Sequence, residues 1–219
     1  KTSLGDAILF NSKTTERLGR VDEGTSTLDY DPDEIKRKIT ISTTVAQCQW
    51  QNTRINLVDT PGYADFIGEV KSGLRVVESA IVAVCATAGV EVGTENTWQF
   101  ADETSLPRMI AITKIDRENA DFYKTVDALR STFGTKCTVT QIPIGSQDSF
   151  KGIIDLIEMK AYVYHGQDGK FEEQDIPEDL KETAEEYHNE LVEIAVENDD
   201  HLIEKYLEGQ QLTAEELRQ

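Results

Sequence analysis

Apolar and polar positions along the chain form short blocks whose character changes near Gly134. From Lys1 to about Leu9 the spacing predicts the start of a helix. Residues 20–38 (RVDEGTSTLDYDPDEIKRK) are polar and rich in turn formers, a long loop. Ile39–Trp50 (ITISTTVAQCQW) is β-branched and roughly alternating, and Arg54–Asp59 (RINLVD) follows the turn at Gln51-Asn52, so the two read as a hairpin. A helix is predicted from about Phe66 to Val77. Ala80–Ala86 (AIVAVCA) is continuously apolar, as a strand buried on both faces must be. A helix near Glu95–Glu103, a strand at Arg108–Thr113 and a helix near Phe122–Phe133 follow. Strands alternating with helices predict a doubly wound α/β sheet.

After Gly134 the alternation stops. TVTQIPI, GIIDLI and KAYVYH are three strand candidates in succession, and a long acidic helical stretch runs from about Asp179 to Glu208. Gly209 is a helix stop, and Thr213 with Glu216 forms a capping box for another helix. Strands followed by helices predict an α+β insert over 136–219, set against an α/β core over 1–135.

Charge sharpens that division. Residues 136–219 hold 7 basic and 21 acidic residues, whereas residues 1–135 hold 15 and 20; the whole chain is at −19. Such acidity argues against broad binding to nucleic-acid backbones, DNA included, and favours a basic protein partner for the acidic half. The longest apolar stretch, Ala80 to Ala88, is strand-sized and interrupted by Thr87, so no membrane span is predicted. Cys48, Cys85 and Cys137 stand far apart, which reads as reduced cytosolic thiols. His165, His188 and His201 are scattered, with no metal-ligand spacing.

Four short motifs carry candidate chemistry. Asp59 to Gly62 (DTPG) follows a strand directly, where α/β sheets bind ligands. There Asp59 can hold a water on Mg²⁺, and Gly62 lets a backbone N–H approach a terminal phosphate. Thr113 to Asp116 (TKID) follows the next but one strand. Asp116 can accept the two N–H donors of a guanine edge while Lys114 lays its stem along the base. Lys1-Thr2 matches the last two letters of a phosphate-binding Gly-rich loop, whose Lys reaches phosphates and whose hydroxyl ligates Mg²⁺. Thr40, in KRKITIS, stands just before a strand and after a long polar loop, as a switch residue would. Each taken alone also reads as an ordinary turn, loop or strand residue.

In combination these motifs resemble elongation factor G. KTSLGDAILF, KRKITIS, VDTPGYADF, GVEVGTE and TKIDR occur in that family's order. The likeness continues through IPIGSQDSFKGIIDLIEMKAYVY to IEKYLEGQQLTAEEL, covering essentially the whole chain. It is nearest to the divergent elongation-factor-G-like paralogues that some bacteria carry. The resemblance implies a P-loop GTPase domain with an inserted subdomain. It implies that Lys1 binds the β/γ-phosphates, that Thr2 and Thr40 meet Mg²⁺, and that Asp59 reaches the metal through water. Gly62 is then at the γ-phosphate, and Thr113, Lys114 and Asp116 form the guanine motif. The implied ligands are GTP or GDP with Mg²⁺. The implied partners are the large ribosomal subunit and its stalk proteins, the latter through the insert, for a cytoplasmic monomer.

Three positions depart from the family pattern. Tyr63 stands where the family has the histidine that orients the attacking water; a phenol is a poor base at neutral pH, although it can hydrogen-bond. Thr113 replaces an asparagine that ties the base loop to the phosphate loop. Lys38 replaces a glycine before Ile-Thr, at a position where backbone freedom matters. The Gly-rich loop is expected ahead of Lys1 and the last guanine-contacting loop beyond Gln219. The core is therefore expected to be incomplete, and this stretch alone to hold no nucleotide and hydrolyse none. Three functions remain open: a ribosome-associated GTP-hydrolysing switch, a GTP-binding regulator slowed by Tyr63, and an interaction module acting through the acidic insert.

Overall fold

The computed structural model describes every residue except Lys136, Gln167, Asp168, Asn198 and Gln219, and of Asp200 only the backbone. Two compact units emerge. The first comprises Lys1–Val84 with Glu91–Ala111, the second Cys85–Val90 with Ile112–Gln219.

The first unit opens with α1 (Thr2–Asn11), which buries Gly5 and Leu9. Leu9 joins Leu28 and Cys48 in a small core closed by Ala46, Ile55 and Leu57. A 3₁₀ turn (Val21–Glu23) and a one-and-a-half-turn helix, α2 (Pro32–Arg37), punctuate the expected loop. Asp31 caps α2, Pro32 stands at its first position, and Glu34 completes a capping box. The strand expected from Ile39 begins only at Thr44, because Ile39 still bonds to the Glu34 carbonyl and the N–H groups of residues 41–43 go to side chains and not to a strand partner. β1 (Thr44–Trp50) and β2 (Thr53–Asp59) then pair antiparallel from Thr44↔Asp59 to Trp50↔Thr53, which confirms the hairpin. A 3₁₀ turn (Ala64–Phe66) runs into α3 (Ile67–Leu74). The remaining elements are β3 (Ala80–Cys85), α4 (Val92–Glu103) and β4 (Arg108–Thr113), with β3 and β4 hydrogen-bonded to each other. Val70 and Leu74 of α3 pack on Ala101 and Leu106 as a second core.

In the second unit α5 (Phe122–Phe133) is capped by Asp121, which accepts from the Lys124 N–H. The three expected strands appear as β5 (Gln141–Ile144), β6 (Gly152–Asp155) and β7 (Lys160–His165). A fourth, β8 (Lys170–Gln174), was not expected, since every residue of it is exposed and no apolar alternation marks it. The sheet order is β5-β6-β7-β8, antiparallel throughout. Ile142, Ile144, Ile154, Leu156 and Ala161 form its buried face together with Val126 of α5 and Ala184 and Leu191 of α6 (Lys181–Val196). That common core is why α5 clusters with the chain that follows it; Lys136, the first residue of the expected insert, lies outside the described residues. The acidic helix is interrupted after Val196, and α7 (Asp200–Leu207) restarts with Asp199 as its cap. The Thr213–Glu216 box forms as expected but opens only a 3₁₀ turn, Glu216–Arg218.

Candidate functional site

Three of the motif residues converge in the first unit, and Asp29 joins them. Thr2, the first residue of α1, donates its hydroxyl to Asp59 Oδ2 at 2.8 Å and lies 2.9 Å from Thr40 Oγ1. Thr40 in turn donates to Asp29 Oδ1 at 2.8 Å. All four side chains are buried. Two hydroxyls supply two protons, whereas the chain Asp59–Thr2–Thr40–Asp29 has three oxygen–oxygen contacts. One contact therefore lacks a proton while both acids are ionised. Burial pushes both carboxyls above their ordinary range. At Asp59 the Thr2 hydroxyl and Lys1 oppose the shift, and at Asp29 the Thr40 hydroxyl does. Asp6 and Asp29 each keep one buried oxygen with no hydrogen-bond partner among the described residues.

Lys1 brings its ammonium to the carbonyl of Pro61. Burial pushes its pKa down, and Asp59 holds it partly up. A Cβ on Gly62 would lie 3.4 Å from Lys1 Cε and Nζ, so the glycine leaves the lysine tip its space. Tyr63 is exposed at 57% and leads into the Ala64–Phe66 turn, its carbonyl accepting from the Phe66 N–H.

The other motif lies in the second unit. Thr113 ends β4 and accepts the Ala86 N–H at 2.9 Å through its carbonyl. Lys114 takes a left-handed φ of 60°, which turns the chain so that Lys114 and Asp116 are both exposed. The Ile115 carbonyl between them accepts the Gln147 N–H at 2.9 Å. Thr87, Lys114, Arg117, Glu118 and Asn119 line an open depression of about 560 Å³ there.

The family model for the elongation factor Tu GTP binding domain matches residues 1–211. The chain belongs to this family of translational GTPases. A crystal structure of a protein from Thermus thermophilus matches it with a TM-score of 0.89 at 40% identity, over 99% of the chain. The chain spans 32% of that protein's length. The α/β architecture is accordingly that of a P-loop GTPase, as the sequence implied. GTP-binding domains of this kind work with Mg²⁺, and the first unit fits such a cation. Thr2, Thr40, Asp29 and Asp59 offer oxygen donors only, and with both acids ionised one of their contacts is short of a proton. Among the described residues no three His, Cys, Asp or Glu side chains gather as a metal cage.

Sequence reasoning missed Asp29, Glu34 and Glu69 in this GTP-binding domain. Asp29 anchors Thr40, and Glu69 accepts the Thr43 N–H at 2.9 Å. Glu34 had a readable signal, the Asp31-Pro32-Asp33-Glu34 capping pattern. Asp29 and Glu69 had none beyond their charge.

Proposed function

We propose that the chain is the GTP-binding and GTP-hydrolysing domain of an elongation-factor-G-like protein acting on the ribosome. The observation that carries this reading is the meeting of Thr2, Thr40 and Asp59 in one buried hydrogen-bonded set, drawn from α1, the loop before β1 and the end of β2. Their order and chemistry suit an Mg²⁺–phosphate end. In this reading Thr2 and Thr40 ligate the ion, Asp59 orients one of its waters, Lys1 meets the β/γ-phosphates and the Gly62 N–H meets the γ-phosphate. The ion supplies charge stabilisation to the phosphates when bound. Lys114 and Asp116 take the guanine, with Thr113 anchoring their loop through its hydrogen bond to Ala86. Residues 136–219 form the inserted subdomain, whose acidic surface meets basic stalk proteins of the large subunit.

Guanine choice tests the site. In the full-length protein Asp116→Asn should weaken GTP and favour xanthine nucleotides, because the carboxylate pairs with donors that adenine lacks. Unchanged GTP affinity removes Asp116 from the base site. The role of Tyr63 is tested by rate. Phosphoryl transfer depends on positioning the water and stabilising charge, and a neutral phenol cannot become a cation there. Single-turnover hydrolysis on ribosomes should therefore be slow, and Tyr63→His should speed it by about tenfold or more. Equal rates would make Tyr63 a competent substitute for the family's histidine.

A further inference from the structure

Glu34 is an acidic residue in a short surface helix, yet it is only 3% exposed. Among the described residues it forms no ion pair. Its carboxylate accepts three backbone N–H groups instead: Asp31 at 3.3 Å on Oε2, and Ile41 at 2.9 Å and Ser42 at 3.0 Å on Oε1. Its own carbonyl accepts from Lys38 and, at 3.3 Å, from Ile39. One residue thus ties the start of α2 to the chain just beyond Thr40. Three N–H dipoles offset the cost of burying its charge, and charge-assisted bonds of this kind are among the stronger ones.

The segment between these ties must reverse direction, and it does so at Lys38, whose φ of 57° and ψ of 39° are left-handed. A non-glycine residue resists that conformation, because its Cβ crowds the following carbonyl oxygen. Something must therefore hold the reversal, and the Ile41 and Ser42 bonds to Glu34 lie directly after it. Thr40 falls inside the loop so closed, and its hydroxyl lands between Thr2 and Asp29. The three N–H groups on the Glu34 carboxylate come from residues 31, 41 and 42, so its action on the site passes through Thr40.

We propose that Glu34 is a positioning residue that clasps residues 31 and 41–42 together and thereby holds the Thr40 hydroxyl against Thr2. Its functional meaning rests on the reading of Thr40 as the switch residue at the Mg²⁺–phosphate end. The clasp itself is measurable without nucleotide.

The test is amide hydrogen exchange on the full-length protein, nucleotide-free, for wild type, Glu34→Ala and Glu34→Gln. In Glu34→Ala the Ile41 and Ser42 amides should exchange about tenfold faster. Ala46 and Leu57 in the hairpin, and the amides of α1, should keep their wild-type rates. Glu34→Gln retains an acceptor oxygen and should restore most of the protection. Tryptic cleavage after Lys36, Arg37 and Lys38 should rise in the same order. Exchange at Ile41 and Ser42 within twofold of wild type in Glu34→Ala overturns the proposal. So does an acceleration spread equally over the hairpin and α1, since that marks a general loss of stability. GTP with Mg²⁺ added to the wild-type protein reports separately on the nucleotide reading. Failure to bind counts against that reading while leaving the ligand-free comparison intact.

Discussion

Lys38 occupies a backbone conformation that glycine reaches without penalty, at the position where elongation factor G carries glycine. Replacement there tests how much the reversal costs the fold. Lys38→Gly should stabilise the nucleotide-free protein by about 1 kcal/mol, less whatever glycine adds to the entropy of the unfolded chain. Urea denaturation measures the difference, and a loss of stability would mean that the lysine side chain contributes more than its backbone angle costs. A second residue sets an acid limit. Glu216 accepts from Lys205 and from the Thr213 N–H and hydroxyl, and these bonds, Lys205 first, pull its pKa down from 4.5 to about 2. A folded-state pKa below the unfolded one gives stability that is present above pH 4.5 and is lost as pH falls towards about 2. The segment after Gly209 should therefore loosen in that window. Glu216→Gln should lose the pH dependence and be loose at neutral pH as well, as followed by exchange of the Thr213 and Glu216 amides.

Among the elements, those with strong periodicity or a continuous apolar run were legible. The hairpin, β3, β4, α5 and the strands β5 to β7 all stand close to where the residue pattern puts them. What escaped were elements held by polar detail. α2 has a single apolar residue besides its proline, Ile35, and is defined by its capping box. β8 is wholly exposed and exists because β7 offers it an edge. The candidate site was legible in its motif residues but not in its supports, since Asp29 and Glu34 act through distances that no spacing rule conveys. One element-scale test concerns β6. A Cβ on Gly152 would lie 2.3 Å from the Tyr162 carbonyl oxygen and 3.0 Å from Val163 Cα, both backbone atoms of β7. Gly152→Ala should force the strands apart and destabilise the second unit by about 2 kcal/mol. A guanidinium transition unmoved by the substitution would show that the β6–β7 ladder tolerates the extra methyl.

At the scale of the whole molecule, the sheet of the second unit and the buried hydrogen-bonded set of the first contrast in how far along the chain they draw their partners. In the second, every strand of the sheet pairs with its neighbour in sequence, β5 through β8. In the first, Thr2 must find Asp59 and Lys1 must find Pro61, across 57 and 60 residues, and the unit is complete only once Glu91–Ala111 has been added. Chains close short loops sooner than long ones, so local pairings form first. The order of assembly should therefore run against the order of synthesis. The meander, made after the first unit, should acquire its structure fastest, whereas α1, made before it, waits for β2 before its hydroxyl has a partner. Stopped-flow refolding read at Trp50 and Trp98, both in the first unit, should lag behind the far-ultraviolet signal of the sheet. During that lag the nascent stretch that carries Leu9 and Leu28, not yet covered, is the part of these two units that depends on a chaperone or on speed.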